Sequence, residues 1–293
     1  MIDRRSFMKL TAVGGGAVFM SGLYGYASAA TPADDFYFVQ LSDIHWGYSG
    51  PANPDALNTL KKTVASVNVL EVQPDFIIFT GDLTHTTDDP KERRKRMAEF
   101  KEIAAGLSVK TVRFIPGEHD AALDNGAAYK ENFGLTNYTF EHKGVHFIVL
   151  DNVSDAGARL GDAQLDWLKE DLSKQAKDAR IVVFTHRPLF DLAPKWDWAT
   201  REGDKAMALL MPYTQVTVFY GHIHQEHHQM TGHIPHHAAK SLIFPLPAPG
   251  SQEKRTPLPW DAATPNKGLG FPEVTAERKD AQYKIVEFPV TKT

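Results

Sequence analysis

Five short polar segments of this 293-residue chain combine carboxylate and imidazole side chains at spacings that suit metal binding. They read SDIH (42–45), TGD (80–82), PGEHD (116–120), THRP (185–188) and YGHIH (220–224). In Asp-x-His and His-x-His, alternate side chains share one side of an extended backbone, so one loop can hold a metal ion twice. The chain has no cysteine, which excludes thiolate metal sites, cysteine nucleophiles and disulfides. Imidazoles and carboxylates without thiols suit zinc, iron or manganese.

The five segments offer eight candidate side chains, which are Asp43, His45, Asp82, Glu118, His119, His186, His222 and His224. A single pair of this kind is weak evidence, because histidines often form ordinary hydrogen bonds. Five such segments in one chain are far harder to obtain by chance. They therefore indicate a metal centre.

Apolar runs and amphipathic segments alternate along the chain and predict where these residues lie. Strands are predicted at 36–43, 75–82, 110–120, 180–186 and 215–222, and each polar segment falls at the end of one of them. Helices are predicted at 55–70, 91–107 and 161–175, a hairpin at 137–151 and a last strand at 282–290. This order favours parallel strands packed under helices, with ligands gathered beyond the carboxyl ends of the strands.

The order D-x-H, G-D, G-x-H-D, H and G-H-x-H over residues 36–225 resembles the calcineurin-like metallophosphoesterases. The resemblance implies an α/β fold: a four-layer αββα sandwich of two mixed β-sheets flanked by helices. It also implies two divalent or trivalent metal ions and hydrolysis of phosphate mono- or diesters by a hydroxide that both ions activate.

The resemblance further assigns a role to each motif residue. Asp43, His45 and His224 would hold the first metal, and Asp82 would bridge both ions. His186 and His222 would hold the second metal together with residue 118. His119, paired with Asp120, would act beside the scissile ester as a catalytic group.

Glu118 departs from the family pattern, which usually has asparagine at this position. A carboxylate ligand brings an extra negative charge, which favours iron or manganese over zinc at the second metal. It would also raise the pKa of the bridging water. The alternative is that Glu118 swings away and leaves the second metal site weak or empty.

The first 29 residues are predicted to be an export signal. Arg4 and Arg5 precede an uncharged stretch and a small-x-small cleavage site after Ala29, which resembles a twin-arginine signal, although Asp3 stands where such signals usually carry Ser or Thr. This predicts the twin-arginine export machinery as a partner and a periplasmic or secreted location. A membrane anchor is the alternative, but five glycines and a short apolar run argue against it.

The remaining residues, 30–293, are predicted to form one domain. Without the signal the formal net charge falls from −4 to −6, which provides no electrostatic footprint for nucleic acid or an anionic membrane. A proline-rich arm is predicted at about 245–275, ordered on the surface because it carries many apolar side chains.

Some residues outside the ligand set are weaker candidates. Arg187 and Trp46 are predicted to contact the phosphate and the organic part of a substrate, with a structural role as the alternative. Seven of the thirteen histidines lie in 221–237, and those beyond the motif could line a pocket, lie on the surface or hold an accessory metal.

The leading functional hypothesis is an exported metal-dependent phosphoesterase. Within this class, a cyclic-nucleotide phosphodiesterase and a phosphoprotein phosphatase stay open. Outside it, one alternative is a catalytically weak metal-binding or assembly protein that keeps the fold, and another is a periplasmic metal store built around residues 222–237.

Overall fold

Two mixed β-sheets form the centre of the molecule. The computed structural model describes residues 35–277 and 282–290. The first sheet has the order β11-β10-β1-β2-β3 and consists of β1 (Phe36–Leu41), β2 (Phe76–Thr80), β3 (Val112–Ile115), β10 (Gly270–Ala276) and β11 (Tyr283–Pro289). The second has the order β4-β5-β6-β7-β9-β8 and consists of β4 (Tyr138–His142), β5 (Val145–Val149), β6 (Arg180–Phe184), β7 (Gln215–Tyr220), β8 (His227–Thr231) and β9 (Ile234–Ala238). Both sheets contain parallel and antiparallel pairs.

Helices cover the outer faces of both sheets. The helices are α1 (Ala56–Asn68), α2 (Pro90–Ala104), α3 (Glu118–Ala121), α4 (Ala127–Phe133), α5 (Asp162–Ser173) and α6 (Gly203–Leu210). Leu60 and Phe100 pack in the core on the first sheet, and Leu168 and Leu210 pack in the core on the second. The predicted four-layer αββα sandwich is therefore confirmed.

The sequence of β1 shows why both faces of a strand are apolar in this fold. Phe36 and Phe38 point into the layer between the sheets, where the Phe38 and Phe76 rings stack with centroids 4.9 Å apart. Tyr37 and Val39 point to the opposite face and pack in the core under the helices. Successive strand residues alternate between faces, so burial on both sides requires an uninterrupted apolar run.

Three differences from the predicted elements are informative. The third strand was predicted to run to residue 120, but β3 ends at Ile115 because Pro116 and Gly117 turn the chain into the short helix α3. The β8–β9 hairpin was not predicted, since its strands are rich in polar histidines. Strand β10 was also missed because Pro272 lies inside it, and it occupies the last part of the predicted arm.

The rest of that arm, residues 245–269, contains no helix or strand but contacts the body of the protein. Gln225 Nε2 donates to the Pro247 carbonyl at 2.9 Å, and Trp196 Nε1 donates to the Glu253 carbonyl at 3.2 Å. The predicted export signal lies outside the described residues. Across the described ranges, no helix is both long and apolar enough to cross a membrane.

Candidate metal centre

The backbone at the strand ends brings the predicted ligands together. Asp43 follows β1 and Asp82 follows β2, and the two strands are parallel neighbours. Five of the predicted ligands have a positive φ, between 47° and 67°: Asp43, His45, Asp82, His222 and His224. Residues other than glycine rarely adopt this left-handed conformation, and it commonly marks functional sites. Several of the converging side chains therefore sit on strained backbone.

Two glycines allow the loops to approach each other closely. A Cβ atom on Gly117 would lie 2.0 Å from the backbone nitrogen of Asp82, and one on Gly221 would lie 2.1 Å from Ser42 Oγ. Any larger residue at either position would push apart the loops that carry the ligands.

The first ligand group consists of Asp43, His45 and His224, whose ligand atoms lie within 4.8 Å of one another. His224 Nε2 is 3.3 Å from Asp43 Oδ1 and 3.3 Å from His45 Nε2. His45 Nε2 is also 3.4 Å from Asp82 Oδ2. These three residues are buried, and Asp82 adjoins them.

The second ligand group consists of Glu118, His186 and His222. The Glu118 carboxylate lies between the two imidazoles, with Oε1 2.8 Å from His222 Nδ1 and Oε2 2.8 Å from His186 Nε2. His186 Nε2 is 3.5 Å from Asp82 Oδ2. Glu118 therefore points into the centre and does not swing away, and Asp82 Oδ2 lies next to imidazoles of both groups.

Unsatisfied polar atoms test whether the second group fits a metal ion. Glu118 Oε2 and His186 Nε2 are buried, and neither forms a hydrogen bond in the described structure, although they are only 2.8 Å apart. Buried polar atoms without a partner are costly. Both atoms are good ligands for a hard or borderline cation, so the donor set fits a metal ion.

Hydrogen bonds to backbone oxygens orient two of the imidazoles. His186 Nδ1 donates to the Thr80 carbonyl at 2.7 Å, and His224 Nδ1 donates to the Phe244 carbonyl at 2.8 Å. Because a carbonyl can only accept, the proton of each neutral ring resides on Nδ1. In the neutral form, which is the form that binds a metal ion, the Nε2 lone pairs of His186 and His224 point into the centre.

Burial and neighbouring charges shift the ionisation of the ligands. Burial raises the pKa of the Glu118 carboxyl, but His222 and His186 outweigh this effect and hold that pKa well below its usual range. Burial lowers the pKa of His186, but Asp82 and Glu118 raise it well above the usual value. Burial lowers the pKa of His45 well below the usual value, and His119, His224 and His85 add to this effect. The centre thus keeps Glu118 ionised.

His119 lies beside both ligand groups. Its Nε2 atom is 3.9 Å from Asp82 Oδ2, and its backbone N–H donates to Asp82 Oδ1 at 2.9 Å. The backbone N–H of Thr86 donates to His119 Nδ1 at 3.2 Å, and Thr86 Oγ1 lies 2.7 Å from the same atom. Since a backbone N–H can only donate, Nδ1 is unprotonated and Nε2 carries the ring proton toward the centre.

The predicted pairing of His119 with Asp120 is wrong. The Asp120 carboxylate is buried and accepts hydrogen bonds from the backbone N–H groups of Leu83, Thr84 and Gly117 at 2.8–2.9 Å. Burial and the nearby charge of Asp82 raise the pKa of Asp120 to about 6. Asp120 joins the loop after β2 to the loop after β3. Its part in the reaction stays a prediction.

The structure places the two predicted substrate contacts, Arg187 and Trp46, in the protein interior. Arg187 is buried, and its guanidinium donates to the Asp197 carbonyl. Trp46 packs in the core under the helices, and its Nε1 atom donates to Glu99 Oε2 at 3.0 Å. Both side chains are held by the protein itself, which supports the structural alternative for each.

His85 and Thr86, the third and fourth residues after Asp82, have contacts that the sequence did not reveal. His85 Nδ1 lies 3.3 Å from His45 Nδ1, and the His85 ring stacks on His119 with centroids 4.9 Å apart. Thr86 contacts His119 as described above. The spacing of His85 from Asp82 was visible in the sequence, but only the fold shows that its ring reaches His45.

Comparisons with known proteins agree with this geometry. The profile of the calcineurin-like phosphoesterase family matches residues 36–226. One similar protein is a probable cyclic nucleotide phosphodiesterase of Rhodococcus erythropolis, 26% identical over 229 residues that cover 74% of each chain. The serine/threonine-protein phosphatase CPPED1 of Danio rerio is 25% identical over 181 residues, which cover 54% of this chain and 59% of that protein.

Solved structures share the fold at low sequence identity. A dimetal phosphatase from Danio rerio has a TM-score of 0.57 and 14% identity, and the match covers 88% of this chain and 99% of that one. A purple acid phosphatase from yellow lupin seeds has a TM-score of 0.62 and 13% identity. That match covers 88% of this chain and 52% of the lupin chain. With the family profile spanning most of the described chain, the protein belongs to the calcineurin-like phosphoesterase family and is a metal-dependent phosphoester hydrolase.

Proposed function

We propose that this protein is an exported phosphoesterase that hydrolyses phosphate mono- or diesters at a centre of two metal ions. The observation that supports the proposal most strongly is the arrangement around Asp82. Its carboxylate lies next to imidazoles of both ligand groups, and the protonated Nε2 of His119 lies 3.9 Å from Asp82 Oδ2.

The two ligand groups would each hold one ion, with Asp82 between them. Bound ions would polarise the phosphoryl oxygens and lower the pKa of the water molecule that attacks phosphorus. The three carboxylates of the ligand set, Asp43, Asp82 and Glu118, favour hard cations, so we expect iron or manganese in the second group.

His119 would stabilise the negative charge that develops on an ester oxygen during the reaction. Its Nε2–H is directed toward the centre and can donate a hydrogen bond to an ester oxygen as negative charge develops there. Groups in such positions typically contribute roughly 10²–10⁴-fold to the rate. The neutral ring, held through Nδ1 by Thr86, suits hydrogen-bond donation to the ester.

The relatives support both ester classes. The Rhodococcus protein is named as a probable cyclic nucleotide phosphodiesterase, and the Danio protein as a serine/threonine-protein phosphatase. Export would separate this protein from the cytosolic pool of cyclic nucleotides, which favours other esters. The alternative of a catalytically weak binding protein has less support, because His119 remains next to Asp82.

Elemental analysis followed by turnover assays tests this proposal. We expect purified protein to contain close to two metal ions per chain and to hydrolyse 4-nitrophenyl phosphate or bis(4-nitrophenyl) phosphate. Their relative kcat/KM values assign the ester class. Two bound ions without turnover of either ester would instead support the catalytically weak alternative.

Export is tested separately at the twin arginines. The double variant Arg4→Lys, Arg5→Lys keeps the charge but removes both guanidinium groups. We expect it to remain in the cytoplasm as an uncleaved precursor, as measured by cell fractionation and intact mass. Normal export of the double variant would contradict a twin-arginine signal.

A further inference from the structure

A row of four rings extends from His119 along the side of the first ligand group. The His85 ring stacks on His119 with centroids 4.9 Å apart and planes 26° apart. The Tyr48 ring meets His85 edge to face with centroids 5.1 Å apart, and the Phe244 ring lies 5.2 Å from Tyr48. His119, His85, Tyr48 and Phe244, here called the aromatic row, therefore form a continuous series of ring contacts.

The loops that carry the metal ligands also hold the aromatic row. The backbone N–H of Tyr48 donates to the His45 carbonyl at 2.9 Å, and His85 Nδ1 lies 3.3 Å from His45 Nδ1. The Phe244 carbonyl accepts the hydrogen bond of His224 Nδ1 at 2.8 Å. Each of these contacts joins a residue of the row to a ligand residue, so the position of the row is fixed relative to the first ligand group.

The aromatic row reaches the protein surface, whereas the ligands of the first group do not. Asp43 and His224 are buried. Tyr48 and His85 are partly exposed, and the side chain of His119 is 29% exposed. Solvent therefore reaches residues of the row beside the position where His119 would meet the ester.

This position determines which part of an ester the row can contact. Metal ions would hold the phosphoryl oxygens at the ligand groups, and His119 would donate to an ester oxygen. The carbon group on that oxygen then extends away from the metal ions, past the rings that follow His119. Aromatic side chains bind planar aromatic groups by stacking or edge-to-face contacts, which add to the effect of burying apolar area.

We propose that Tyr48 is a specificity-determining residue that binds the organic group of the substrate, and that this group is planar and aromatic. The proposal rests on the phosphoesterase function proposed above and names its substrate class, which is phosphate esters of aryl or arylalkyl alcohols. Tyr48 takes the role that the sequence suggested for Trp46, because Trp46 packs in the core whereas Tyr48 is partly exposed.

Two phosphonates of similar size measure this preference without hydrolysis. Phenethylphosphonate carries an aromatic ring and cyclohexylethylphosphonate a saturated one, and both have the same anionic group. Calorimetric titration of the metal-loaded protein gives both dissociation constants. Tyr48→Leu should lower the preference for phenethylphosphonate, expressed as the ratio of the two constants, by about 2- to 12-fold, the change that one aromatic pair provides. An unchanged ratio, or no binding of phenethylphosphonate to the wild type, would overturn the proposal.

Two further variants are the controls. Tyr48→Phe keeps the ring and should keep the ratio of the wild type. Trp167→Leu removes a partly buried aromatic ring from α5, which packs in the core on the second sheet, and should also keep the ratio. Loss of the preference in either control would contradict a specific role for the Tyr48 ring.

A measurement on the wild type keeps the test decisive if Tyr48→Leu does not fold. In protein loaded with diamagnetic zinc, phenethylphosphonate should cause a saturable change in the ¹H–¹³C signals of the Tyr48 ring. Binding of phenethylphosphonate without such a change would place its ring elsewhere and refute the proposal.

The subsite and the proposed function fail in different ways, because neither phosphonate contains an ester bond. A ratio that depends on Tyr48, in a protein that hydrolyses neither nitrophenyl ester, would support the subsite and contradict the proposed function. Hydrolysis of these esters together with a ratio that does not depend on Tyr48 would overturn the subsite and leave the proposed function intact.

Discussion

The two ligand groups share Asp82 but differ in how they face solvent. In the first group the Asp43 carboxylate is fully buried, and His45 and His224 are held beneath the surface. In the second group Glu118 is 23% exposed, and its carboxylate spans two imidazoles that are otherwise buried. The departure from the family pattern therefore falls on the least buried side chain of the two ligand groups.

The groups also differ in what supports their imidazoles. His224 and His186 each rest on a backbone carbonyl, which cannot be changed by a side-chain substitution. His45 rests on the side chain of His85 instead. The first group is thus more deeply buried but has one side-chain support that mutation can remove, whereas the second contains the partly exposed side chain of Glu118, which mutation can replace.

The largest effect on activity and metal content is expected from a substitution of Asp82, which adjoins both ligand groups. Asp82→Ala removes the carboxylate that both groups share, so both should lose metal and kcat/KM should fall by roughly 10⁴-fold or more. Metal content by mass spectrometry and turnover of the nitrophenyl esters measure this effect. Asp88→Ala, in the exposed loop that follows, is the matched control and should behave as the wild type.

A smaller effect on kcat is expected from a substitution of His119, which lies beside both ligand groups. His119→Ala removes the Nε2–H donor and should lower kcat by roughly 10²–10⁴-fold while metal content stays constant. His233→Ala, at the tip of the β8–β9 hairpin, is the control and should keep wild-type kcat. Loss of metal from the His119 variant would make His119 a ligand.

The contact of His45 with the His85 side chain distinguishes the first group from the second. His85→Phe removes the partner of His45 Nδ1 and should weaken metal binding at the first group by roughly 10–100-fold, the usual effect of losing such a partner. His85→Asn retains an oxygen acceptor and should recover most of the affinity. Titration against a chelating indicator measures both, and equal affinities for the two variants would exclude a positioning role for His85.

The comparison also shows what a sequence can and cannot predict. The sandwich was predictable because buried strands such as β1 need apolar residues on both faces, and the spacing of Asp43, His45, His222 and His224 indicated side chains that the fold brings close together. The hydrogen-bond partner of His119 was not predictable, because adjacent residues such as His119 and Asp120 point in different directions on the short helix α3. Likewise, the contact between His85 and His45 joins two loops and depends on their three-dimensional approach.

The substitution of Glu118 in the second group is expected to change the rate least, but it is the most direct test. Glu118→Asn removes one negative charge and supplies the residue usual in the family. The measurement is metal stoichiometry and identity in both proteins, together with the acidic limb of the pH–rate profile. We predict iron or manganese in the second group of the wild type, a shift toward zinc in the variant, and an acidic limb that moves to lower pH as the attacking water becomes more acidic. Identical metals, stoichiometry and acidic limb in both proteins would contradict the claim that Glu118 is a metal ligand.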